Sequence, residues 1–565
     1  MKNLHTLLLL CLISAVDATA QIPTFNWVHQ TGASNAVTNM DVEYDANGNS
    51  YVTGFFSGTI DLDPGAGQQL VNTVGSSDIY LAKYDALGQL IWGRAFGSNG
   101  ADEGLHIDVS GNSVVSCGFF LTNVTFDSTN PNGFLNSFGD FDAYITKYDT
   151  SGNFIWARQV GGFTGIEEAR SVCQDSMGNI YVTGFFTGQA DLDPSNNSMI
   201  VSAAGSQDVW VMKLDPNGNL IWVKTVGGSN ADQANEIVLD HQGHLLIAGS
   251  FRSTIDLDPG PAAVNVSSAG FDDAFLLRLD TSGNYLWNAA FGNTGSDIMN
   301  TVAADADGNI IMAGTFQDSI DADPGAGVSM LVCSGNVGGF VIKTDSSGMM
   351  IFADAFAGTN NNSPRQVKVH PSGHIFLAGS FNGSCDFDPQ SSINNISSAG
   401  SDDAYLLRLD AAGNLDWVIT YGGSGFEDAQ GITLRSAGQL LVTGKFSGAA
   451  DFDPGSGVVN LSPAASRDGY VLSLTDQFTT GITAQYDHLQ MLVYPNPATD
   501  MIRIKNEESL PVIARLVSLK GELLETFEIG GQQVADHSLK SLPSGIYTLH
   551  LSATKGHAVY KIVHL

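Results

Sequence analysis

Residues 169–228 read ARSVCQDSMGN, IYVTGFFTGQ, ADLDPSNNSMIVSAAGSQ, DVWVMKLDPNGN and LIWVKTVGG in succession. The stretch contains four apolar runs rich in β-branched and aromatic residues, and Gly, Asn, Asp and Pro separate them. Such runs are typical of short antiparallel strands joined by turns. The stretch therefore predicts a unit of four strands.

The same unit recurs along the chain with a period of about 65 residues, which is the signature of a repeat architecture. The fourth strand carries a tryptophan at Trp27, Trp92, Trp156, Trp222, Trp287 and Trp417, with Phe352 in the one place that lacks it. The second strand carries a glycine at Gly54, Gly118, Gly184, Gly249, Gly314, Gly379 and Gly444. A phenylalanine follows each glycine, at Phe56, Phe120, Phe186, Phe251, Phe316, Phe381 and Phe446.

Short Asp-x-x-Gly turns are predicted within each unit, because Asp bonds its own backbone and Gly adopts a positive φ. Between the third and fourth strands they are residues 85–88, 149–152, 215–218, 280–283, 345–348 and 410–413. Between the first and second strands they begin at Asp45, Asp108, Asp175, Asp240 and Asp305. The other connections are longer and polar. We expect them to share one face, and we expect any ligand to bind there.

Four-stranded antiparallel units repeated radially make a β-propeller. Residues 24–29, TFNWVH, resemble a fourth strand but precede the first unit, whereas the last unit ends at its third strand, residues 468–474. The N-terminal segment therefore predicts the missing strand of the last unit, and this closure removes free sheet edges. The chain is predicted to be all-β, with a seven-bladed β-propeller over residues 21–476.

Three repeated segments resemble a known family. GNIYVTGFF (178–186), the DLDPG loop (61–65) and GNLIWVKTVGG (218–228) are similar to the seven-bladed β-propeller repeats common in exported proteins of bacteria that use type IX secretion. The resemblance covers about residues 24–476. It implies the fold and not an activity, because propellers host many functions.

The charge and the N-terminal segment indicate an exported protein that does not bind nucleic acid. The formal net charge is −34, which argues against nucleic-acid binding because a phosphate backbone requires Lys and Arg. Residues 1–20 combine Lys2, a short apolar run and Ala18-Thr19-Ala20, a pattern that predicts a secretory signal peptide. No later run has the length of a transmembrane helix. We expect a monomer whose remaining cysteines, Cys117, Cys173, Cys333 and Cys385, are small buried hydrophobes.

An acidic Asp-x-Asp-Pro loop recurs between the second and third strands of six units. Its aspartates are Asp61 and Asp63, Asp191 and Asp193, Asp256 and Asp258, Asp321 and Asp323, Asp386 and Asp388, and Asp451 and Asp453. The second unit departs from it with Thr125-Phe126-Asp127-Ser128. Either these carboxylates ligate Ca²⁺, or they cap turns while the residue between them enters the core. No cofactor is required by the sequence, and calcium is the one candidate metal.

The sequence favours a binding protein over an enzyme. Most acids belong to the repeat, whereas glycoside hydrolysis needs two carboxyl groups with separate roles. No catalytic motif of the GxSxG, HExxH or P-loop type occurs, so no catalytic residue is assigned. Arg170, Arg365 and Arg435 lie near first strands in unmatched positions. A glycosidase or lyase at the central channel stays an alternative, and an unmatched Glu, Arg, Tyr or His in the channel would favour it.

The repeat stops after Asp476. Residues 477–488 are interpreted as a linker, and residues 489–565 alternate in hydrophobicity as expected for a small immunoglobulin-like β-sandwich. Their motifs together resemble the type A C-terminal sorting domain of type IX secretion; the residues are Tyr494, Pro495, Asn496, Pro497, Gly521, Pro543, Gly545, Tyr547 and Lys561. The resemblance implies recognition by the secretion machinery and removal by a sortase-like peptidase. It also implies attachment at the outer-membrane surface or release.

The sequence thus predicts an exported propeller, at the cell surface or released, that acts as a binding or adhesion scaffold. Its ligand would be a glycan or a protein bound on the face of the long connections. A purely structural surface component is the remaining alternative.

Overall fold

The structure is a computed structural model that describes the repeat region almost completely. The described residues are 21–195, 197–325, 327–388, 394–477, 491–494, 498–506, 511–518, 523–531, 533–540, 542–543, 545–553 and 556–564. The predicted signal peptide and most of the predicted linker therefore lie outside them. The chain divides into two compact units, and the boundary falls after Gln477.

The described residues form β-strands joined by turns, with one short 3-10 helix at Pro131–Gly133. The strands up to residue 228 are β1 (Thr24–Thr31), β2 (Ala36–Tyr44), β3 (Ser50–Ser57), β4 (Thr59–Asp61), β5 (Leu70–Asn72), β6 (Asp78–Tyr84), β7 (Leu90–Phe96), β8 (Glu103–Ser110), β9 (Ser113–Thr125), β10 (Phe134–Tyr148), β11 (Phe154–Thr164), β12 (Glu167–Gln174), β13 (Ile180–Phe186), β14 (Gln189–Asp191), β15 (Ile200–Ser202), β16 (Asp208–Leu214) and β17 (Leu220–Gly228).

The following strands, up to residue 477, are β18 (Asp232–Leu239), β19 (Leu245–Asp256), β20 (Asn265–Leu279), β21 (Tyr285–Phe291), β22 (Ile298–Ala304), β23 (Ile310–Phe316), β24 (Ser319–Asp321), β25 (Met330–Val332), β26 (Gly338–Thr344), β27 (Met350–Gly358), β28 (Asn362–Val369), β29 (Ile375–Asp386), β30 (Asn395–Leu409), β31 (Leu415–Tyr421), β32 (Glu427–Leu434), β33 (Gln439–Phe446), β34 (Ala450–Asp451), β35 (Asn460–Leu461) and β36 (Asp468–Thr475). The C-terminal module contributes β37 (Met491–Tyr494), β38 (Met501–Asn506), β39 (Val512–Ser518), β40 (Leu523–Ile529), β41 (Val534–Ser538), β42 (Gly545–Ala553) and β43 (Gly556–His564).

Four-stranded antiparallel sheets build the first compact unit, one for each repeat. Six of them contain strands in chain order: β2-β3-β6-β7, β8-β9-β10-β11, β12-β13-β16-β17, β18-β19-β20-β21, β22-β23-β26-β27 and β28-β29-β30-β31. We call the first strand of each repeat its inner strand; the inner strands are β2, β8, β12, β18, β22, β28 and, in the last sheet, β32. The fold is an all-β propeller, as the sequence predicts.

The two ends of the repeat region meet in the last sheet. Its order is β1-β36-β33-β32, so the most N-terminal strand is its outer strand. Trp27 lies opposite Ser473, and Thr31 lies opposite Gly469. The Asn26 side chain adds a hydrogen bond of 3.0 Å to Thr475 Oγ1. This is the pairing of the N-terminal segment that the sequence predicts.

The repeated tryptophans join each sheet to the next one. Five of the six indole N–H groups donate to a carbonyl oxygen in the turn between the third and fourth strands of the following unit, and that of Trp417 does not. The pairs are Trp27 with Ala86, Trp92 with Thr150, Trp156 with Pro216, Trp222 with Thr281, and Trp287 with Ser346. The period seen in the sequence therefore reflects a contact between neighbouring sheets, and the first of these contacts spans the closure.

The repeated glycine faces a β-bulge in the inner strand. In the third unit the bulge falls at Arg170, and a Cβ added to Gly184 would collide with the carbonyl oxygen of Glu168. The other six glycines face the same kind of carbonyl. A bulge inserts one extra residue and re-aims the side chains beside it. Every inner strand thus presents one additional residue near the axis.

One predicted turn is wrong. Asp108 was expected to open an Asp-x-x-Gly turn, but it lies inside β8, where the hairpin closes between Ser110 and Ser113. Its carboxylate accepts a hydrogen bond of 2.8 Å from Gln174 instead. Because the hairpin is shorter than in the other units, Asp108 occupies a strand position and points its carboxylate toward the neighbouring inner strand.

The connections between the second and third strands are more regular than the sequence suggests. They carry two-stranded hairpins such as β4 with β5 and β14 with β15. In the second, fourth and sixth units the flanking strands run on through the connection instead, and β10, β20 and β30 each reach 15 residues. The first strand of such a hairpin also pairs with the preceding sheet, as Ala190 does with Gly162.

The C-terminal module packs two antiparallel sheets, β37-β38-β41 and β40-β39-β42-β43. Its core contains the alternating apolar residues of the sequence, among them Ile504, Leu516, Leu549 and Ile562. This is the small β-sandwich that the sequence predicts. Among all described residues, no helix has the length and apolar character needed to cross a membrane.

Candidate functional site

A cavity of about 470 Å³ lies among all the inner strands of the propeller. Each inner strand lines it with the residue at its bulge, and these residues are Met40, Leu105, Arg170, Asn235, Asn300, Arg365 and Gln430. We call this the central cavity. The bulge recurs in every unit, but the residue type on it varies among Met, Leu, Arg, Asn and Gln. The backbone around the cavity is therefore repeated, whereas the side chains that line it are not.

The residue after each bulge forms a second ring, which we call the bridging ring. Its members are Asp41, His106, Ser171, Glu236, Thr301, Gln366 and Gly431. Five of these side chains accept a hydrogen bond from a backbone N–H of the following inner strand; the donors are Ile107, Ile237, Val302, Val367 and Ile432. The bridging ring therefore ties neighbouring sheets together at the axis.

Two members of the bridging ring accept no such bond: Gly431, which has no side chain, and His106. Neither of its ring nitrogens makes a hydrogen bond to any residue that the structure describes. The nearest carboxylate is that of Asp41, whose Oδ2 lies 3.5 Å from His106 Nε2. Burial lowers the pKa of His106 to about 4. The imidazole is therefore neutral at physiological pH and lines the cavity with its hydrogen-bonding capacity unused.

Charged groups surround His106. Lys368 Nζ lies 2.9 Å from Glu43 Oε1, although the two residues come from non-adjacent units. Burial alone would lower the pKa of Lys368, but the carboxylates of Glu43, Glu236 and Asp41 raise it. Burial raises the pKa of Asp41 to about 7. Groups of such different proton affinity side by side are typical of functional sites.

Two arginines of the bulges, Arg170 and Arg365, also line the cavity, and each lies close to a carboxylate. Arg170 Nε donates to Glu168 Oε2 at 3.1 Å, and its Nη1 donates to Asn235 Oδ1 at 3.0 Å. Arg365 lies 3.2 Å from Asp428. About a third of each arginine side chain is exposed, at 31% and 37%. Both guanidinium groups are therefore held in position and still accessible to a ligand.

The sequence singled out Arg170 and Arg365, but the expectation that their positions do not match is wrong, since both lie on the bulge of an inner strand. It missed the cluster around His106. The cluster consists of residues from four different units, none of which forms a recognisable motif on its own: His106, Asp41, Glu236 and Lys368. Aligning the units on their bulge places the first three at one position, which is the signal that would have found them. Arg435, the third arginine singled out, lies over the ring of Tyr44 and does not line the cavity.

The acidic loops bond their own backbone. Asp61 Oδ1 accepts from the backbone N–H groups of Asp63 and Gln69, at 3.1 and 2.9 Å. The other five loops repeat the bond to the first aspartate. The residue between the aspartates is fully buried in each, as Leu62 is. No group of three or more candidate metal ligands occurs among the described residues. Calcium binding at these loops stays a prediction.

The sorting-domain residues fall partly outside the described residues, where Pro495, Asn496, Pro497 and Gly521 lie. Tyr494 ends β37, Gly545 begins β42, and Lys561 lies in β43 opposite Thr548. The Tyr547 hydroxyl donates to the Pro543 carbonyl oxygen at 2.6 Å. Two of the motif residues therefore brace the entry to the penultimate strand.

Buried carboxylates hold the connections between units and make stability depend on pH. Asp297 Oδ2, for example, accepts from the Asn293 N–H at 2.9 Å. Burial raises the pKa of Asp102 to about 6, of Asp232 and Asp297 to about 7, and of Glu167 to about 8. The folded state therefore binds these protons more tightly than the unfolded state, whose carboxyl pKa is about 4.

We expect the melting temperature to fall as pH rises from 6 to 8.5, because the stabilisation is present at low pH and is lost through these raised pKa values. Below about pH 4 the trend reverses, since hydrogen bonds from Ser347 lower the pKa of Asp345 and other turn aspartates behave alike. Calorimetry across pH 3.5–9 tests this. Asp297→Asn should make the melting temperature depend less steeply on pH. A melting temperature that rises from pH 6 to 8.5 would contradict the prediction.

Residues 492–564 match the family model described as a secretion system C-terminal sorting domain. The chain carries this domain at its C-terminus, and the domain indicates export by type IX secretion to a secreted or cell-surface location. The match covers the C-terminal module and leaves the propeller outside it.

Two curated proteins are similar in sequence. An uncharacterized WD repeat-containing protein of Acanthamoeba polyphaga mimivirus is 22% identical over 562 residues, covering 84% of this chain and 40% of that protein. Regulatory protein FlaEY of Caulobacter vibrioides is 26% identical over 381 residues, covering 62% of this chain and 38% of that protein. The chain thus spans about two fifths of the length of the curated relatives it matches.

Two solved structures are weakly similar. A crystal structure of an ACO/RPE65 chimera has 10% identity and a TM-score of 0.32, covering 81% of this chain and 94% of that chain. Dimeric latent PorU from Porphyromonas gingivalis has 10% identity and a TM-score of 0.12, covering 64% of this chain and 31% of that chain. Similarities of this size carry no argument about function.

Proposed function

We propose that this chain is an exported binding protein whose ligand occupies the central cavity. The proposal rests on one observation: the seven bulges carry five different residue types, Met, Leu, Arg, Asn and Gln, although the bulge itself repeats. Structural positions keep one residue type because packing requires it: the glycine recurs in all seven units, and the tryptophan in all but the one that has Phe352. Residues that vary on a fixed frame and line a cavity are free to serve a ligand.

The lining suits a ligand rich in hydroxyl groups. Guanidinium, amide and carboxylate side chains, which donate or accept hydrogen bonds in fixed planes, all line the cavity. The volume of about 470 Å³ lies within the range of small-molecule sites. We propose the end of a glycan as the ligand, with Arg170, Arg365 and His106 as the groups that contact it.

The test is a glycan array probed with the full chain. Arg170→Ala and His106→Gln should each abolish or strongly weaken binding, because they remove the accessible donor and the unpartnered imidazole. Arg252→Ala is the matched control, since Arg252 is about half exposed, at 47%, and pairs with Asp272 away from the cavity. An array without any bound glycan would favour the purely structural alternative. Binding that both cavity variants retain would place the ligand elsewhere.

A second candidate function is acid–base catalysis in the same cavity. It is favoured by the unmatched His106 beside Asp41, Glu236 and Lys368, which is the feature that distinguishes an enzyme from a scaffold here. A neutral imidazole next to carboxyl groups of raised pKa can exchange protons with a bound glycan. A hydrolase or lyase would release new reducing ends from an array ligand. His106→Gln should stop that release more completely than it stops binding.

A further inference from the structure

A second concave site lies on the outer rim of the propeller. This groove has a volume of about 730 Å³ and runs between the second and third sheets. One wall comes from the connection between β9 and β10, the other from the connection between β14 and β15, and β11 forms the floor. We call it the rim groove. None of its lining residues lines the central cavity.

The second unit supplies two exposed aromatic side chains to the rim groove. Phe134 is 50% exposed and Phe138 is 62% exposed. The residues that match Phe134 in the other units are Leu70, Ile200, Asn265, Met330, Asn395 and Asn460. Those that match Phe138 are Val74, Ala204, Ala269, Ser334, Ala399 and Ala464. Aromatic residues thus occur at these two positions in the second unit alone, and both face solvent.

The same unit lacks the Asp-x-Asp-Pro loop. In its place a 3-10 helix at Pro131–Gly133 is capped by Asn130, whose side chain accepts from the Asn132 N–H at 3.0 Å. The Phe126 N–H donates to the Gly133 carbonyl oxygen at 2.7 Å and closes the turn. Phe134 follows the turn directly, so its position is fixed by a local structure that is found in no other unit among the residues the structure describes.

The opposite wall and the floor are rigid and polar. Asp191 accepts from the Met199 N–H and from the Ser198 hydroxyl, both at 2.7 Å. The Arg158 guanidinium donates to the carbonyl oxygens of Gly218 and Asn217, at 2.6 and 2.9 Å. Polar groups held in this way lose little freedom when a ligand binds.

The main chain of the floor is already paired. Gly161 lies opposite Asp191 in the sheet, and Gly162 lies opposite Ala190. An extended peptide that binds by strand addition needs free backbone groups along an edge, and the edge strand β15 offers three residues only. The rim groove therefore suits a ligand recognised by side chains.

We infer that the rim groove binds a stretch of uncharged oligosaccharide, with Phe134 and Phe138 stacked on sugar rings and the polar wall bonded to hydroxyl groups. Aromatic faces with fixed carboxylate, amide and hydroxyl groups opposite them match the two kinds of surface on a sugar ring. An anionic chain fits less well, because Arg158 is engaged by carbonyl oxygens, Asp191 and Asp193 line the groove, and the net charge is −34.

The test is calorimetric titration of the full chain with cellohexaose, xylohexaose, mannohexaose and chitohexaose. At least one should bind, and Phe134→Ala/Phe138→Ala should weaken it about tenfold or more, since two stacking contacts are lost. Phe271→Ala is the matched control, because Phe271 is 63% exposed on the fourth unit. It should leave binding unchanged, and the melting temperatures of all variants should agree.

Three results would overturn the inference. They are a panel in which no member binds at millimolar concentration, binding that the double variant retains, and binding that Phe271→Ala weakens equally. Loss of binding in Arg170→Ala with full retention in the double phenylalanine variant would assign the ligand to the central cavity. That outcome supports the proposed function and refutes ligand binding in the rim groove. Failure of this inference can therefore be distinguished from failure of the proposed function.

Discussion

Deletion of residues 21–32 is expected to produce oligomers and aggregates that the full chain does not form. The deletion removes β1, which pairs with β36 from Thr24 to Thr31. Each lost backbone hydrogen bond costs about 1 kcal/mol, and the apolar contacts of the half-buried Trp27 and Val28 add about 1 kcal/mol each. The total is a large part of the 5–15 kcal/mol that typically stabilises a domain.

The new edge strand explains why association should follow. Without β1, β36 stays paired with β33 on one side, but the backbone groups on its other side face solvent, and unpaired edges recruit other strands. Light scattering after size exclusion measures the oligomers, and calorimetry measures the loss of stability. A deletion variant that stays monomeric with an unchanged melting temperature would contradict the closure.

A peptide should reverse the defect. TFNWVHQT, residues 24–31, should bind to the deletion variant by strand addition and restore the monomer. The matched control is a peptide of the same composition in which apolar and polar residues no longer alternate, because it cannot present one face to the sheet. Equal rescue by both peptides would indicate a non-specific solubilising effect and not strand replacement.

Deletion of residues 489–565 is expected to abolish surface delivery without unfolding the propeller. The described contacts of the propeller core lie within residues 21–477, and the sorting domain forms its own core around Ile504 and Leu516. In a host with type IX secretion the truncated chain should therefore accumulate in the periplasm with an unchanged melting temperature. Surface labelling and fractionation measure its location.

A fusion protein tests whether the sorting domain is sufficient for delivery. Residues 478–565 fused to a periplasmic reporter should carry the reporter to the cell surface or into the medium, since the sorting domain matches the family model without the propeller. Normal delivery of the truncated chain, or a reporter that stays in the periplasm, would refute the sorting role.

The repeat was predictable because packing fixes single residues at regular spacing. Trp222 must reach the next turn and Gly184 must clear the Glu168 carbonyl oxygen, so both recur and the period is visible. The hairpin of the second unit was not predicted, because Asp108 has the residue type of a turn aspartate, but two further residue pairs separate it from the turn.

The candidate sites were harder to predict for a different reason. His106 and Lys368 are 262 positions apart in the sequence and approach each other only because the sheets surround one axis. The Asp-x-Asp-Pro loops show the opposite difficulty, since a carboxylate that binds a cation and one that caps a turn look alike in sequence. In the structure Asp61 bonds backbone N–H groups, a detail that depends on the path of the connection.

The pairing of Thr24 with Thr475 also determines when the propeller can finish folding. Nearly the whole repeat region must emerge before the earliest strand meets its partner, and contacts so distant in sequence form slowly. Until then β1 has no sheet to join, and the sheet it completes has an open side. We therefore expect the unpaired strands to be open to pairing with other chains until residues 468–475 are available to pair with the first strand.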